Sequence, residues 1–248
     1  MYAVFLREVK SYFGSLTAWV LIAVYLLVTG IFSSYGIEGF ARWSMTAMQG
    51  SESLNINEVL VQNLLSTYGF LLLIFIPMLT MRLFAGERRA GTLDLLLTYP
   101  ITEMQIILGK LFAALAVVAL LLVLTLSSFI IMHRLTPLDW AAVASGYTGL
   151  LLLAVCLISM GMWASSLSSS QIVAVSLSFF GGFMIWIFSA LDQTGILKER
   201  FGDLSALSHL NNLTKGLVDT QDVVYFLAFA ALFLFLTARV LESRKWRG

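Results

Sequence analysis

The sequence predicts an all-α membrane protein: six transmembrane helices, an N-terminal interfacial helix, a short helix in the loop between spans 2 and 3, and both termini in the cytosol. Three observations predict it. Of the 248 residues, 59% are hydrophobic and only 12% are charged, whereas soluble domains carry about 25% charged residues. The intervals without Asp, Glu, Lys or Arg have membrane length: Ser11 to Ile37, Val59 to Met81, Leu111 to His133, Trp140 to Leu191, and Val223 to Ala238. A crossing needs about 20 apolar residues, and a central charge costs about 2.5 to 3.5 kcal/mol on insertion scales. The fourth interval is too long for one helix and divides at the serine cluster Ser165 to Gln171, a polar turn. The third observation is the charge bias. With six spans, Arg7, Lys10, Arg82, Arg88, Arg89, Lys110, Arg239, Arg244, Lys245 and Arg247 fall on one side, and Arg42, Arg134, Lys198, Arg200 and Lys215 on the other. The more basic side is the cytosol.

The elements follow in order. Residues 1–15 are expected to form an interfacial helix. Phe5, Val9, Tyr12 and Phe13 keep helical spacing on one face, while Arg7 and Lys10 occupy another, and Gly14-Ser15 turns the chain into the membrane. Span 1, residues 16–36, has an apolar core longer than the 7 to 15 residues of a signal peptide, so it is read as uncleaved. A polar loop caps the bundle before span 2, residues 62–83, which Pro77 is expected to kink. Span 3 covers 106–132, span 4 covers 139–164 and span 5 covers 171–191. Leu204, Leu207, Leu210 and Leu213 recur every third residue in the external loop 192–220 and predict a short amphipathic helix on the outer surface. Asp219 or Thr220 caps span 6, residues 221–241, with Asp222 in the first turn, where the helix dipole favours an acid. Ala142, Gly146, Gly149, Gly181 and Gly182 permit close helix approach.

The loop at 84–105 carries more information than a connector needs. Gly91 breaks the helix that continues from span 2. Thr92 then caps a short helix over Leu93 to Thr98, with Asp94 in its first turn, and Tyr99-Pro100 stops it. Thr102-Glu-Met-Gln105 matches a capping box and launches span 3. Leu93, Leu96 and Leu97 share one helical face beside Glu87, Arg88 and Arg89. Such a face suits a partner's cleft, and it equally suits burial against the protein's own membrane helices.

The run Glu87-Arg88-Arg89-x-Gly91-Thr92-Leu93-x-x-Leu96-Leu97-x-x-Pro100-Ile-Thr102, followed by Gly109-Lys110, resembles the signature of type-2 ABC transporter permeases. The likeness extends to Arg7-Glu-Val-Lys-Ser-Tyr-Phe13 and to Gly216-Leu-Val-Asp-Thr-Gln-Asp-Val-Val-Tyr225, as in the gliding-motility permease branch and, more distantly, the permease of nitrous-oxide reductase maturation. Leu16 stands where that branch usually has proline, and Tyr99 where a serine is common. The resemblance implies a non-catalytic permease subunit in a bacterial cytoplasmic (inner) membrane. Its coupling site would comprise Glu87, Arg88, Arg89, Gly91, Thr92, Leu93, Leu96, Leu97, Pro100 and Thr102, with Phe5, Arg7, Val9, Lys10 and Phe13 forming the interfacial helix. The implied partners are two copies of a cytosolic ATPase subunit carrying the ATP and Mg, a distinct companion permease half with an external domain, and the lipid bilayer, with no nucleic acid.

Other chemistry finds little support in the residues. There is no Gly-rich phosphate loop with lysine, so ATP hydrolysis belongs to another chain. No cofactor or metal is expected. Cys156 is alone in an apolar segment, His133 and His209 lie in external loops, and the Met45/Met48 and Met78/Met81 pairs read as packing rather than copper ligands. No nucleophile, base and orienter are near one another in sequence. Ion-coupled carriers place Asp, Glu or His at membrane depth, and the spans hold none, which disfavours a secondary transporter and keeps it, with a non-transporting scaffold subunit, only as an alternative.

Overall fold

The computed structural model describes residues 1–47, 60–92, 102–135, 138–193, 206–216 and 219–245. The helices among them are α1 (Tyr2–Phe13), α2 (Leu16–Ala47), α3 (Gln62–Thr80), α4 (Ala85–Arg89), α5 (Glu103–Leu135), α6 (Trp140–Leu167), α7 (Gln171–Gln193), α8 (Ala206–Thr214) and α9 (Thr220–Lys245). Leu93, Leu96, Leu97 and Pro100, and with them the expected Leu93 to Thr98 helix, lie outside the described residues.

Among the described residues, five stretches are long and apolar enough to cross a membrane: Leu16–Arg42, Gln62–Arg89, Glu103–Arg134, Trp140–Leu167 and Thr220–Ser243. The expected fifth span falls on α7, whose apolar part among the described side chains is the shorter Gln171–Ile187. At 1.5 Å per residue that part rises about 26 Å, just under the roughly 30 Å hydrocarbon layer.

Helix α6 is the hub and packs against α3, α5, α7, α8 and α9. Its most apolar window is 61% buried, against 28% in α2 and 17% in α9, which form the rim. Small residues put it there. A Cβ on Gly146 would run into the Leu65 side chain of α3, and one on Gly161 into Thr80. Gly146→Val should therefore destabilise the fold by roughly 1–3 kcal/mol through overpacking. Gly30→Ala, with nothing within 4 Å of the added carbon, should be neutral or slightly stabilising; thermal unfolding in detergent compares the two.

Buried hydroxyls stitch the middle of the bundle. Ser33 Oγ lies 2.7 Å from the Tyr68 hydroxyl and Thr125 Oγ1 2.9 Å from that of Tyr147, and the Phe129 ring stands edge-on between the two tyrosines. Each joins two helices without placing a charge in the apolar interior.

The short amphipathic helix expected in the 192–220 segment is α8, whose polar side, Ser208, His209, Asn211 and Asn212, is partly exposed, while Leu210 and Leu213 pack onto the bundle. Leu210 and Leu213 of α8 are fully buried, seated where Gly69 of α3 and Gly149 of α6 leave room for them. The Ser145 hydroxyl donates to the Leu213 carbonyl at 2.8 Å. His209, expected as a loop residue, sits in α8 and bonds through Nδ1 to Asp222, with its ring stacked on Tyr225 at 4.4 Å. Asp219 accepts from the Gln221 amide at 3.3 Å and caps α9. His133 also lies in a helix, α5, where its Nδ1 accepts from the Leu138 amide at 3.2 Å.

Candidate functional site

The polar segment after α3 is built onto a fixed base. Proline supplies no amide hydrogen at Pro77, three residues before α3 ends, and the Thr80 hydroxyl bonds back to the carbonyls of Ile76 and Pro77. A turn over residues 81–84 then redirects the chain into α4. The first amides of any helix lack intrahelical partners. Here Ser165 of α6 supplies them: its Oγ accepts from Phe84 N at 3.1 Å and Ala85 N at 3.0 Å, and donates to the Met81 carbonyl at 3.0 Å. One hydroxyl thus uses all its hydrogen-bonding capacity as a tertiary cap. Gly91, at φ +67°, ends α4 in the left-handed conformation that glycine adopts without strain.

A buried ion cluster holds the other side of α4. Lys110 Nζ, at the start of the third turn of α5, has a fully buried side chain and lies 3.0 Å from Glu8 Oε1 of α1 and 3.0 Å from Glu87 Oε1 of α4. It also donates to the Leu83 carbonyl at 2.7 Å and stands 5.3 Å from the centre of the Phe84 ring. Arg7 closes the cluster, 2.7 Å from both carboxylates. Gly109 makes the approach possible, because the Cβ it lacks would stand 3.0 Å from Val4, so α1 lies directly on α5. Val4 and Glu8, one helical turn apart, fill that contact together. The expectation that the spans hold no ionisable group fails here: Lys110, within predicted span 3, is a buried charge made tolerable by two acids and a carbonyl.

Burial pushes the Glu8 carboxyl up, but the Lys110 charge and donation from Arg7 and Lys110 outweigh it and hold the group below its usual range. For Arg7, burial is likewise overcome by Glu8 and Glu87, and its pKa is raised. The sign for Glu8 is that of a depressed carboxylate. Its contribution to stability is complete above the unfolded value of about 4.3 and is lost as pH falls through the lower folded value. The melting temperature of the wild type should therefore fall more steeply than that of Glu8→Gln below about pH 4; equal slopes would remove Glu8 from the balance.

The expected site residues divide accordingly. Glu87 faces inward to the cluster. Arg88 donates to the Ser166 carbonyl at 3.2 Å, Arg89 is exposed, and the Thr92 hydroxyl donates back to the Glu87 carbonyl at 3.3 Å. Thr102 Oγ1 accepts from Gln105 N at 3.4 Å, the forward half of the capping box at the start of α5. In α1, Phe5, Val9 and Phe13 are half-buried and Lys10 is exposed, while the buried side of the helix carries Val4 and Glu8.

This arrangement, a polar break after the second apolar helix clamped to the N-terminal helix and to the next apolar helix, can be set beside known families. The model for ABC-2 family transporter proteins matches residues 2–246. The chain belongs to that family. No curated protein matches it. As an ABC-2 family member it is a multi-pass membrane protein and the permease component of an ABC transporter. In this ABC-2 chain the polar segment's base is set by Lys110, Glu8 and Ser165, which lie in motifs read from the sequence but to which that reading gave no such role. Lys110 had a signal: it stands one residue before a charge-free interval, and a lysine that near an apolar core requires an acid. Glu8 and Ser165 had none, since Lys110 and the Phe84 and Ala85 amides lie about 100 and about 80 residues away from them in sequence.

Proposed function

We propose that this ABC-2 permease receives mechanical work from a separate cytosolic ATPase through the segment after Gly91. It would do so as a six-span protein of a bacterial cytoplasmic membrane, with both termini in the cytosol. ATP and Mg belong to the ATPase. A second permease half, a companion with an external domain, completes the assembly, as in the gliding-motility-like branch. The supporting observation is the Glu8/Glu87/Lys110/Arg7 cluster, because it ties the root of that segment to α1 and α5.

Magnitudes favour a body-to-body push over a single contact. Inverting a two-state equilibrium from 1:99 to 99:1 takes about 5.5 kcal/mol, while an exposed ion pair gives about 0.2 to 1 kcal/mol. Breaking one buried pair costs about 3–5 kcal/mol, comparable to that load, and the cluster joins four ion pairs. In this reading Leu93, Leu96 and Leu97 form the packed contact with the ATPase. Arg88 and Arg89 set its register, and Glu87 anchors it from within. Charge reversal at Arg88 and Arg89 combined with Leu96→Asp should abolish co-purification of the partner ATPase subunit. Undiminished co-purification would refute the assignment.

A further inference from the structure

A cavity of about 340 Å³ opens between α1, α2, α3 and α4, roughly ten times a water molecule's ~30 Å³ share of the liquid. Its two ends differ in chemistry. The rim carries Arg7, Ser15, Thr17 and Arg82 beside the exposed Met78, and the floor includes Ala18, Leu21 and Leu79. Those floor residues also line an apolar seam that continues between α2, α3 and α5 past Ile22 and Phe75. The seam is narrow, about 10 Å³, so a chain-like ligand would lie along its mouth.

The rim is electrostatically unfinished. Five charged side chains line the cavity: Arg7, Arg82 and Lys110 against Glu8 and Glu87. The cluster described above pairs both carboxylates with Lys110 and Arg7. Arg82 has no acid partner among the described residues; its guanidinium donates to Thr17 Oγ1 at 2.6 Å and Ser15 Oγ at 3.2 Å. A cation flanked by two hydroxyls is a receptor for a phosphate oxygen.

Depth supplies an independent argument. The rim sits at the α1–α2 joint, where the exposed Trp19 donates its indole N–H to the Phe13 carbonyl at 2.9 Å and packs edge-on against the Phe13 ring. An exposed tryptophan at the start of an apolar helix marks the head-group level of a bilayer. At that level the molecule with an anionic phosphate above and an apolar tail below is an anionic phospholipid. We propose that this cavity binds one. Its phosphate would lie on Arg82, Ser15 and Thr17, its glycerol backbone above Leu21, and an acyl chain along the seam. The bound lipid would brace the α1–α2 joint against α4. This requires only that the chain be membrane-embedded, and it stands whether or not the segment after Gly91 docks an ATPase.

The test uses the full chain purified in detergent, with native mass spectrometry counting phosphatidylglycerol retained against phosphatidylcholine. The wild type should retain one phosphatidylglycerol selectively. Arg82→Gln should cut that selectivity about fivefold or more, as loss of a charge-assisted contact implies. Arg239→Gln, at an exposed arginine on α9, should leave it unchanged. Leu21→Trp, which fills the floor without touching a charge, should also reduce retention, and melting curves of each variant show that the fold persists. Equal retention of the two lipids by the wild type, or unaltered selectivity in Arg82→Gln, overturns the proposal. So does displacement of the lipid by millimolar glycerol 3-phosphate, which would assign the site to a free anion.

Discussion

Replacing Lys110 by methionine is expected to lower stability by about 3–5 kcal/mol, the typical cost of stranding a buried charge's partners. The side chain it removes is fully buried and faces two carboxylates whose side chains are only 12% and 17% exposed. Without the ammonium, Glu8 and Glu87 confront each other with Arg7 alone between them, and the Leu83 carbonyl loses its donor. For a chain of this length the melting midpoint should fall by roughly 6–20 °C. The triple variant Glu8→Gln, Glu87→Gln, Lys110→Met should recover much of that loss, since replacing a whole buried ion cluster is far less costly than breaking it. The triple variant also tests the proposed coupling: it should be folded and inserted, yet on that proposal fail to pass movement from α4 to α1 and α5. A Lys110→Met protein that melts within about 1 °C of wild type would show that solvent reaches the cluster and that the charges are cheap to separate.

Ser165→Ala should cost nearly as much for the loss of a single oxygen. That atom accepts from the Phe84 and Ala85 amides and donates to the Met81 carbonyl, and both acceptor contacts are buried. Each buried amide left without a partner costs about 1–3 kcal/mol, so about 2–6 kcal/mol is expected for the two. The loss should be local. Hydrogen exchange of the Phe84 and Ala85 amides should rise far more than that of α6 itself, because α4 frays from its first turn while the hub stays packed. Ser165→Thr, which keeps the hydroxyl, should retain most of the protection if the extra methyl is accommodated, and Ser166→Ala is the neighbouring control. Uniform loss of protection across α3, α4 and α6 would instead assign Ser165 to general packing.

Much of the molecule was legible from residue order. A membrane helix needs a long run without charge, a polar stop and a restart, and all three are properties of contiguous residues. The helix starts at Leu16 and Gln171, the break at Gly91 and the cap at Thr102 could be located because their causes are local: apolar length, turn chemistry and capping. The close-approach role of Gly146 and Gly149 was also readable, since only the absence of a side chain was in question.

The errors have one physical origin. Whether a polar group faces water or another polar group depends on what the fold sets opposite it, and that information is spread over distant parts of the chain. Lys110 counted as one more basic residue near a membrane end until α1 laid Glu8 against it. Ser165 read as part of a serine-rich turn until the α3–α4 turn arrived at its hydroxyl. Leu210 and Leu213 marked the apolar side of a short amphipathic helix, and only the gaps at Gly69 and Gly149 on two other helices show what that side packs against. The sequence by itself therefore determined where helices form and that they belong in a bilayer, because those are local free energies summed along a run. Only the tertiary structure decided which polar groups meet, because pairing a buried charge or amide requires a partner whose position no local rule contains.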